Sequence, residues 1–339
     1  MTTGRFLLGV ALVLFAHSLR AADRLELTWP TPNTAWSEGK PISAFIQDAG
    51  SGDPESGAFG GVRNGGVHFH EGIDIKAVNR DRRREPTDEV FAAMEGLVRH
   101  VAPTPDGSYG RYIVLEHPGV TPAVYTLYAH LARIAPNIRE GVKVTRGAVI
   151  ATMGHSSGGY SIPVDRAHLH FEIGLVATMN FQRWYDRQGF GSRNEHGVWN
   201  GYNLLGVDPL DFFNAWRSHR IESVQDYFSK LTPTVRVRIA TRQTPDFITR
   251  YPSLLTKPLP MGPVSGWEIA FSWTGLPFAW TPLSSLETVG MPADQPRIVE
   301  ANTEIIRRQR SKVLAVSKRG SWAIGRDLDT VLKQLFVLR

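Results

Sequence analysis

The sequence predicts a mainly β protein that carries a smaller module of mixed strands and helices at its C-terminus. Residues 25–215 alternate short β-rich segments with clusters of Gly, Pro, Asn and Asp, without long stretches of helical period. At 339 residues the chain exceeds the usual size of a single domain. Hydrophobic residues at 42% and charged residues at 21% exclude a disordered or fibrous chain.

The first residues have the pattern of an export signal. Arg5 is followed by an apolar run over residues 6–16, too short to span a bilayer, and by small residues at 18–22. We therefore expect a cleaved signal peptide over residues 1–21 and a protein in the periplasm, the cell envelope or the extracellular space. A buried N-terminal helix is the alternative. No Cys follows the apolar run, which excludes a thioether lipid anchor, and no later segment is apolar enough for a membrane helix.

The chain contains no cysteine, and this limits its chemistry. Disulfides, thiolate metal sites and cysteine nucleophiles are all excluded. Any metal ion must therefore be held by nitrogen and oxygen atoms.

The β-rich region, residues 22–219, contains five predicted strands whose residues alternate or are β-branched. They are Phe91–Val101, Arg111–Glu116, Ala123–His130, Lys143–Met153 and Ala167–Val176. Two polar loops, residues 79–88 and 155–166, interrupt the pattern, and a helix over Pro209–Ser218 closes it. Loops beside a site often shape the groove for the substrate.

Residues 220–339 form the predicted C-terminal module, which carries the positive charge of the chain. From Arg220 onward there are 17 basic and 10 acidic residues, a net charge of +7, against +4 for the whole chain without its predicted signal peptide. Such a surface favours polyanions such as wall polymers. The alternative is a solvated surface of mixed charge, because no run of five like charges occurs. Nucleic acid is not a predicted partner.

Three segments of the module have recognisable patterns. Val235–Ile239 alternates like a strand, Trp267–Trp280 is rich in aromatic residues, and Ser321–Leu338 is a predicted helix. Trp267, Trp273 and Trp280 can stack on sugars, although such residues more often belong to a core. With the positive charge, they lead to the hypothesis that the module binds the bacterial wall.

Five of the eleven histidines fall in three short segments. The segments are Val-His-Phe-His-Glu-Gly-Ile-Asp-Ile with His68 and His70, Leu-Tyr-Ala-His-Leu with His130, and Ala-His-Leu-His-Phe-Glu-Ile with His168 and His170. Clustering of this kind indicates a metal site. We expect His68 to be a surface residue or a neighbour of the site.

The last pair has a geometry that follows from strand alternation. His168 and His170 lie on the same side of a strand, about 6 to 7 Å apart along it. One ring can reach an ion while the other points at whatever the ion activates. The alternative is a strand with two surface histidines.

His70 and Asp74 need a bend to meet. Four residues of extended strand span about 13 Å, too far to share a metal ion. Gly72 supplies the bend, and its neighbours Ile73 and Ile75 favour a bulged strand over a helix. The alternative is an ordinary Asp in a turn.

Two histidines and one carboxylate leave the fourth position of a tetrahedral site open, which is typical of catalytic zinc. The bound ion acidifies water and polarises a carbonyl group. A general base and a donor for the oxyanion are also needed. His130 and His168 suit these roles because imidazole titrates near neutrality, and the pattern leaves open which residue has which role.

At these residues the sequence resembles the lysostaphin/LytM-type zinc metallopeptidases. Their signature is His-x-x-x-Asp, a distant Tyr-x-His-Leu and a terminal His-x-His, which match His70–Asp74, Tyr128–Leu131 and His168–His170 in order. The resemblance covers roughly residues 40–215. It implies a Zn²⁺ ion bound by His70, Asp74 and His170, with His130 and His168 catalytic.

The resemblance also implies the fold and the activity. We expect an antiparallel sandwich or barrel-like LytM domain with a groove over residues 22–219, which cleaves the peptide cross-links of peptidoglycan as a zinc metalloendopeptidase acting on stem peptides. A non-catalytic LytM-type activator of a wall amidase and a zinc peptidase acting on free peptides are the alternatives. The loop through Tyr160–Arg166 is longer than is usual in the family, and residues 79–88 also form a long loop, so the substrate preference stays open.

Overall fold

The computed structural model describes residues 24–336 and residue 338. The predicted signal peptide over residues 1–21 lies outside the described residues. No helix in the described part of the chain is both long and apolar enough to cross a membrane.

Twelve strands precede residue 220 in the part of the chain that the structure describes. They are β1 Gly60–Arg63, β2 His68–His70, β3 Ile73–Lys76, β4 Glu89–Phe91, β5 Gly96–Asp106, β6 Gly110–Glu116, β7 Tyr125–Ala129, β8 Leu131–Ile134, β9 Lys143–Val144, β10 Val149–Met153, β11 His168–Val176 and β12 Leu204–Val207. Two helices accompany them, α1 Phe181–Gln188 and α2 Pro209–Arg217. The first was not predicted; the second confirms the helix expected over Pro209–Ser218.

The main sheet has seven strands in the order β12, β11, β7, β6, β5, β9, with β3 also paired to β11. A three-stranded sheet of β4, β10 and β8 and the hairpin β1–β2 complete this region. The pairs are antiparallel. Every residue of β11 is buried, including the polar side chains of His168, His170 and Glu172, which alternate with apolar residues along its first half. The expected mainly β, antiparallel fold class is confirmed.

Two of the five predicted strands are wrong in their interiors. Phe91–Val101 divides into β4 and β5, and Lys143–Met153 divides into β9 and β10. β4 and β10 belong to the three-stranded sheet, whereas β5 and β9 belong to the main sheet. The chain turns at each break to pass between sheets, and Gly147 adopts a φ of 76° in one of the turns. The other three predictions correspond to β6, β7 and β11.

The C-terminal region contains a four-stranded antiparallel sheet in the order β15, β14, β13, β16, and a hairpin β17–β18. Its strands are β13 Val235–Ala240, β14 Gly266–Phe271, β15 Pro277–Leu283, β16 Arg297–Ala301, β17 Ala315–Lys318 and β18 Ser321–Ile324. Its helices are α3 Val224–Ser229, α4 Asp246–Arg250, α5 Thr303–Arg308 and α6 Arg326–Leu335.

The C-terminal predictions are partly confirmed. The alternating segment Val235–Ile239 is β13. The predicted helix Ser321–Leu338 is wrong at its start, because β18 pairs with β17 there and α6 begins only after Gly325. Trp267 and Trp280 are fully buried, 5.5 Å apart between ring centroids. These two tryptophans belong to the core and present no ring to a sugar.

The apolar core continues across residue 220. One cluster of buried side chains runs from Leu25 to Phe336 and includes residues of both regions. The backbone N–H of Leu25 donates to the carbonyl of Glu222 at 3.0 Å, and the Trp216 indole donates to the Leu25 carbonyl at 2.8 Å. We propose that the division near residue 220 separates two sets of sheets that share one core.

Candidate metal centre

Three potential ligand atoms form a compact triangle. Nε2 of His70 lies 3.0 Å from Nδ1 of His170 and 3.1 Å from Oδ1 of Asp74. The third side, from His170 Nδ1 to Asp74 Oδ1, is 3.0 Å. Ligand atoms of a tetrahedral zinc ion, each about 2.0–2.1 Å from the metal, are roughly 3.3 Å apart. The donor set and its spacing therefore fit Zn²⁺.

The bend at Gly72 brings these residues together, as the sequence predicts. β2 ends at His70 and β3 begins at Ile73, so the turn between them returns the chain to β11. Asp74 is then the direct cross-strand partner of His170. A side chain at residue 72 would clash with the carbonyl oxygen of Phe171. Glycine is thus required by the close approach of β11.

Fixed acceptors determine which nitrogen of each ligand imidazole is free. Nδ1 of His70 lies 2.8 Å from the carbonyl oxygen of Ala58, which can only accept, so Nδ1 carries the hydrogen and Nε2 is free for a metal ion. Nε2 of His170 lies 3.0 Å from Oε1 of Glu172, which leaves Nδ1 free. Both free nitrogens are the atoms of the triangle.

Glu172 was not identified from the sequence, although it lies two residues after His170 on the same face of the strand. Its buried carboxylate also accepts from the hydroxyl of Tyr109 at 2.7 Å and of Tyr125 at 3.0 Å. Burial lowers the pKa of His170, but the hydrogen bonds to Asp74 and Glu172 outweigh it and raise that pKa to about 10, so an ion that binds at Nδ1 would take the place of a proton. Glu172 therefore orients the ring and increases its basicity.

Arg63 is a second residue that sequence reasoning missed. Its guanidinium donates to Oδ2 of Asp74 at 2.6 Å and to the carbonyl of Ser56 at 2.9 Å. Burial raises the pKa of Asp74, but its interactions with His70, His168 and His170 hold that pKa well below its usual value. Asp74 is consequently an ionised ligand whose second oxygen is neutralised.

The two remaining predicted residues, His130 and His168, lie beside the triangle. Their ring centroids are 4.8 Å apart, and Nε2 of His168 is 3.5 Å from Oδ1 of Asp74. Nδ1 of His130 donates to the carbonyl of Ser156 at 2.9 Å, and Nδ1 of His168 to the carbonyl of Arg166 at 2.7 Å. In each ring Nε2 is therefore the unprotonated nitrogen.

Burial keeps both of these imidazoles neutral. Burial is the main reason why the pKa of His130 lies well below its ordinary value. It is also the main reason why the pKa of His168 is lowered. His130 also has a left-handed backbone with φ 61°, between the end of β7 and the start of β8. A non-glycine residue in that region is held by its surroundings, and such strain is common at functional sites.

All five predicted site residues line one cleft of about 1060 Å³. His68 also faces this cleft, but it is exposed and contributes no atom to the triangle. Within residues 24–336 and 338, His70, Asp74 and His170 are the one group of three or more residues with donor atoms close enough to share an ion.

Comparison with known proteins agrees with the motifs. The profile of Peptidase family M23 matches residues 68–180, a segment that holds the triangle, His130 and His168. The resemblance to lysostaphin/LytM-type peptidases is thereby confirmed at the level of the family. A comparison with proteins of curated function finds no match.

Several solved structures are similar to part of the chain. A zinc-containing peptidase from Vibrio cholerae is 24% identical over 44% of this chain and 37% of its own, with a TM-score of 0.29. The catalytic domain of lysostaphin from Staphylococcus simulans is 21% identical over 51% of this chain and 95% of its own, with a TM-score of 0.30. A variant catalytic domain of the prophage-encoded M23 protein EnpA from Enterococcus faecalis is 22% identical over 38% and 80%, with a TM-score of 0.28.

Proposed function

We propose that this chain is an exported zinc metalloendopeptidase that hydrolyses the peptide cross-links of bacterial peptidoglycan. The observation that carries the proposal is the 3.0–3.1 Å triangle of His70, Asp74 and His170 with two neutral imidazoles beside it. When bound, a zinc ion would supply a Lewis acid and lower the pKa of water towards about 7.

The residues of the chain provide the proton transfers. His130 and His168 both offer a free Nε2 whose orientation is fixed through Nδ1, so each ring can accept a proton without turning. One ring accepts the proton of the attacking water at Nε2. The other ring must first take up a proton at Nε2, and it can then donate to the developing oxyanion. Asp74 stays ionised beside His168 and favours the protonated form of that ring.

Peptidoglycan as the substrate is supported by the match to Peptidase family M23 over residues 68–180. The cleft is large enough for an extended peptide and is lined by residues of both signs of charge. Export to the periplasm or beyond is supported by the charged start, the apolar run and the small residues of the N-terminal segment.

Digestion of purified peptidoglycan, followed by mass analysis of the products, tests this function and identifies the scissile bond. We expect His170→Ala to lose both zinc binding and cleavage, and His130→Ala to keep zinc while turnover falls by at least about 100-fold. His219, an exposed histidine that does not line the cleft, provides the control variant His219→Ala. Full activity of zinc-free His170→Ala protein would contradict the mechanism.

The same digestion separates the alternatives. Intact sacculi together with cleavage of free peptides would indicate a zinc peptidase of different substrate class. Intact sacculi together with stimulation of a wall amidase, unchanged in His130→Ala protein, would indicate a non-catalytic activator. The presence of all five site residues favours catalysis over activation.

We further propose that the basic C-terminal region helps to hold the protein on the wall. Exposed cations are concentrated near its end, at Arg307, Arg308, Arg310, Lys318 and Arg319. Because Trp267 and Trp280 are buried and the ring of Trp273 packs against Phe59 and Phe69, the attraction is electrostatic. Retention of the full chain on purified sacculi should therefore fall as salt increases.

A further inference from the structure

The C-terminal region forms one wall of the cleft that holds the candidate metal centre. Asp327, Thr330, Val331 and Gln334 follow each other at the i, i+3, i+4 and i+7 positions of α6, so one face of this helix borders the cleft. Thr274 and Lys312 complete the wall. These residues lie outside the segment 68–180 that matches the peptidase family.

Direct contacts fix this wall in place. The hydroxyl of Thr274 donates to the carbonyl of Gly206 at 3.3 Å, and the amide of Gln334 donates to the carbonyl of Tyr202 at 2.6 Å. The ring of Trp273 packs against Phe69, with 5.8 Å between centroids. Phe69 is the residue immediately before the ligand His70. The wall is thus attached to the hairpin β1–β2 that carries a metal ligand.

Lys312 is the uncompensated charge of this wall. Asp327 accepts the backbone N–H of Val313 at 2.6 Å and pairs with Arg326 at 3.3 Å, so its negative charge is balanced. Lys312 has no acidic partner among the residues that the structure describes. Its ammonium lies 4.4 Å from the ring centroid of Phe69. The ring attracts the cation and holds it beside the ligand hairpin.

We propose that Lys312 is a specificity-determining residue that binds a carboxylate of the substrate peptide close to the scissile bond. The inference rests on the proposed peptidase function and names the class of peptide that the cleft selects. A carboxylate would gain a charge-assisted hydrogen bond from an ammonium that no acidic group among the described residues neutralises. The net charge of +7 from residue 220 onward adds long-range attraction for the same substrates.

A pair of synthetic peptides of one sequence tests the proposal, one with a free carboxylate at its end and the other with a carboxamide. In the zinc-loaded full-length protein, Lys312→Gln should raise KM for the carboxylate peptide by about 10-fold and leave the carboxamide peptide unchanged. Lys312→Met keeps the apolar stem on Phe69 and should behave likewise. Lys312→Arg should restore most of the preference, and Lys143→Gln, at an exposed lysine that does not line the cleft, is the control.

Binding of both peptides to zinc-loaded His130→Ala protein, with and without the Lys312 changes, separates this proposal from the proposed function. Tighter binding of the carboxylate peptide that is lost when Lys312 is replaced supports the proposal. If the wild-type protein at the same time cleaves neither peptide, the proposed function fails while the proposal about Lys312 stands. Equal effects of Lys312→Gln on the two peptides, in binding or in KM, would overturn the proposal. Cleavage of the peptides by the wild-type protein would in that case still support the proposed peptidase function.

Discussion

Proton placement organises the candidate site at the level of single residues. Each of His70, His130 and His168 donates Nδ1–H to a backbone carbonyl, and His170 donates Nε2–H to a carboxylate. Backbone carbonyls cannot donate, so the tautomers of three rings are fixed by the fold. The remaining nitrogen of each ring is therefore ready for a metal ion or a proton before any substrate binds.

His117 is a buried histidine outside the cleft that should make the stability of the protein sensitive to acid. Burial lowers its pKa to about 4. Nδ1 donates to the carbonyl of Glu95 at 2.8 Å, and Nε2 accepts from the hydroxyl of Thr126 at 2.7 Å. Because the unfolded ring titrates near 6.5, only the unfolded state takes up a proton as the pH falls from 6.5 to 4. The free energy of unfolding should decrease by about 3 kcal/mol across this window.

Chemical denaturation between pH 4 and pH 7 measures this contribution. His117→Gln should be less stable than the wild type at pH 7, where the neutral ring makes both hydrogen bonds, and should lose less stability on acidification. The exposed His219→Gln is the matched control. Parallel pH profiles of the His117→Gln and wild-type proteins would rule out the assignment.

The five predicted site residues lie around one cleft, and their grouping could be expected because their spacing encodes local geometry. A glycine bend between His70 and Asp74 and the alternation of His168 and His170 are properties of short segments. Arg63 escaped prediction because its contact with Asp74 depends on how the hairpin β1–β2 folds back towards β3. Glu172 could have been found, since the alternation that pairs His168 with His170 also places residue 172 on the same face.

The two long polar loops act together at the level of structural elements. Arg80, in the first loop, donates to the carbonyl of Val164 at 2.6 Å and of Asp165 at 3.2 Å in the second. The next carbonyl, that of Arg166, accepts from Nδ1 of His168. We therefore expect Arg80 to position His168 through the backbone of the second loop.

Replacement of Arg80 by Ala should reduce kcat by about 10-fold, because the carbonyl that orients His168 loses its support. Zinc affinity should stay unchanged, since no metal ligand contacts Arg80 among the described residues. Arg80→Lys should recover little, because one ammonium does not reproduce a fork that binds two carbonyls. Turnover and zinc affinity measured on the same preparations test this.

Arg82, an exposed residue of the same loop, provides the control Arg82→Ala. A parallel loss of zinc affinity and turnover in Arg80→Ala protein would mean that the loops support the whole centre and not His168 alone. Wild-type turnover would show that the second loop holds its shape without Arg80.

Sequence patterns located most of the elements but not the points where the chain changes sheet. The segments Phe91–Val101 and Lys143–Met153 are continuous in composition, yet each passes from one sheet to the other. Local propensity contains no information about which sheet a residue joins, because that depends on pairing between distant strands. The contact of Arg80 with Val164 was hidden for the same reason.

At the scale of the whole molecule, the C-terminal region supports the strand that carries His168 and His170. The guanidinium of Arg250 donates to the carbonyls of Val176 and Ala177 at 2.9 and 3.2 Å, at the end of β11. The hydroxyl of Tyr251 accepts from the N–H of Val176 at 3.2 Å. Sequence reasoning treated residues 220–339 as an accessory module because its basic charge differs, but charge on the surface does not reveal shared burial.

Removal of residues 221–339 should therefore abolish folding of the remaining domain. The ring of Phe212 packs on Tyr227 and that of Phe69 on Trp273, with 4.9 and 5.8 Å between centroids. Without residues 221–339, Phe212 and Phe69 would be more exposed to solvent. Each exposed aromatic side chain costs about 1.5–3 kcal/mol, and a domain is stable by only about 5–15 kcal/mol. The cost of exposing several such side chains, added to the hydrogen bonds lost at the end of β11, exceeds the free energy of unfolding of a typical domain.

Cooperative unfolding and zinc binding of the truncated chain, compared with the full-length protein, measure this dependence. We expect no cooperative transition and a loss of zinc affinity of at least about 100-fold, because β11 and the hairpin β1–β2 both lose their supports. Co-expression of residues 221–339 as a separate chain should restore part of both properties, since the contacts are not covalent. A truncated protein that unfolds cooperatively and binds zinc like the full chain would mean that residues 24–220 fold alone, and that the C-terminal region serves the cleft only as a wall.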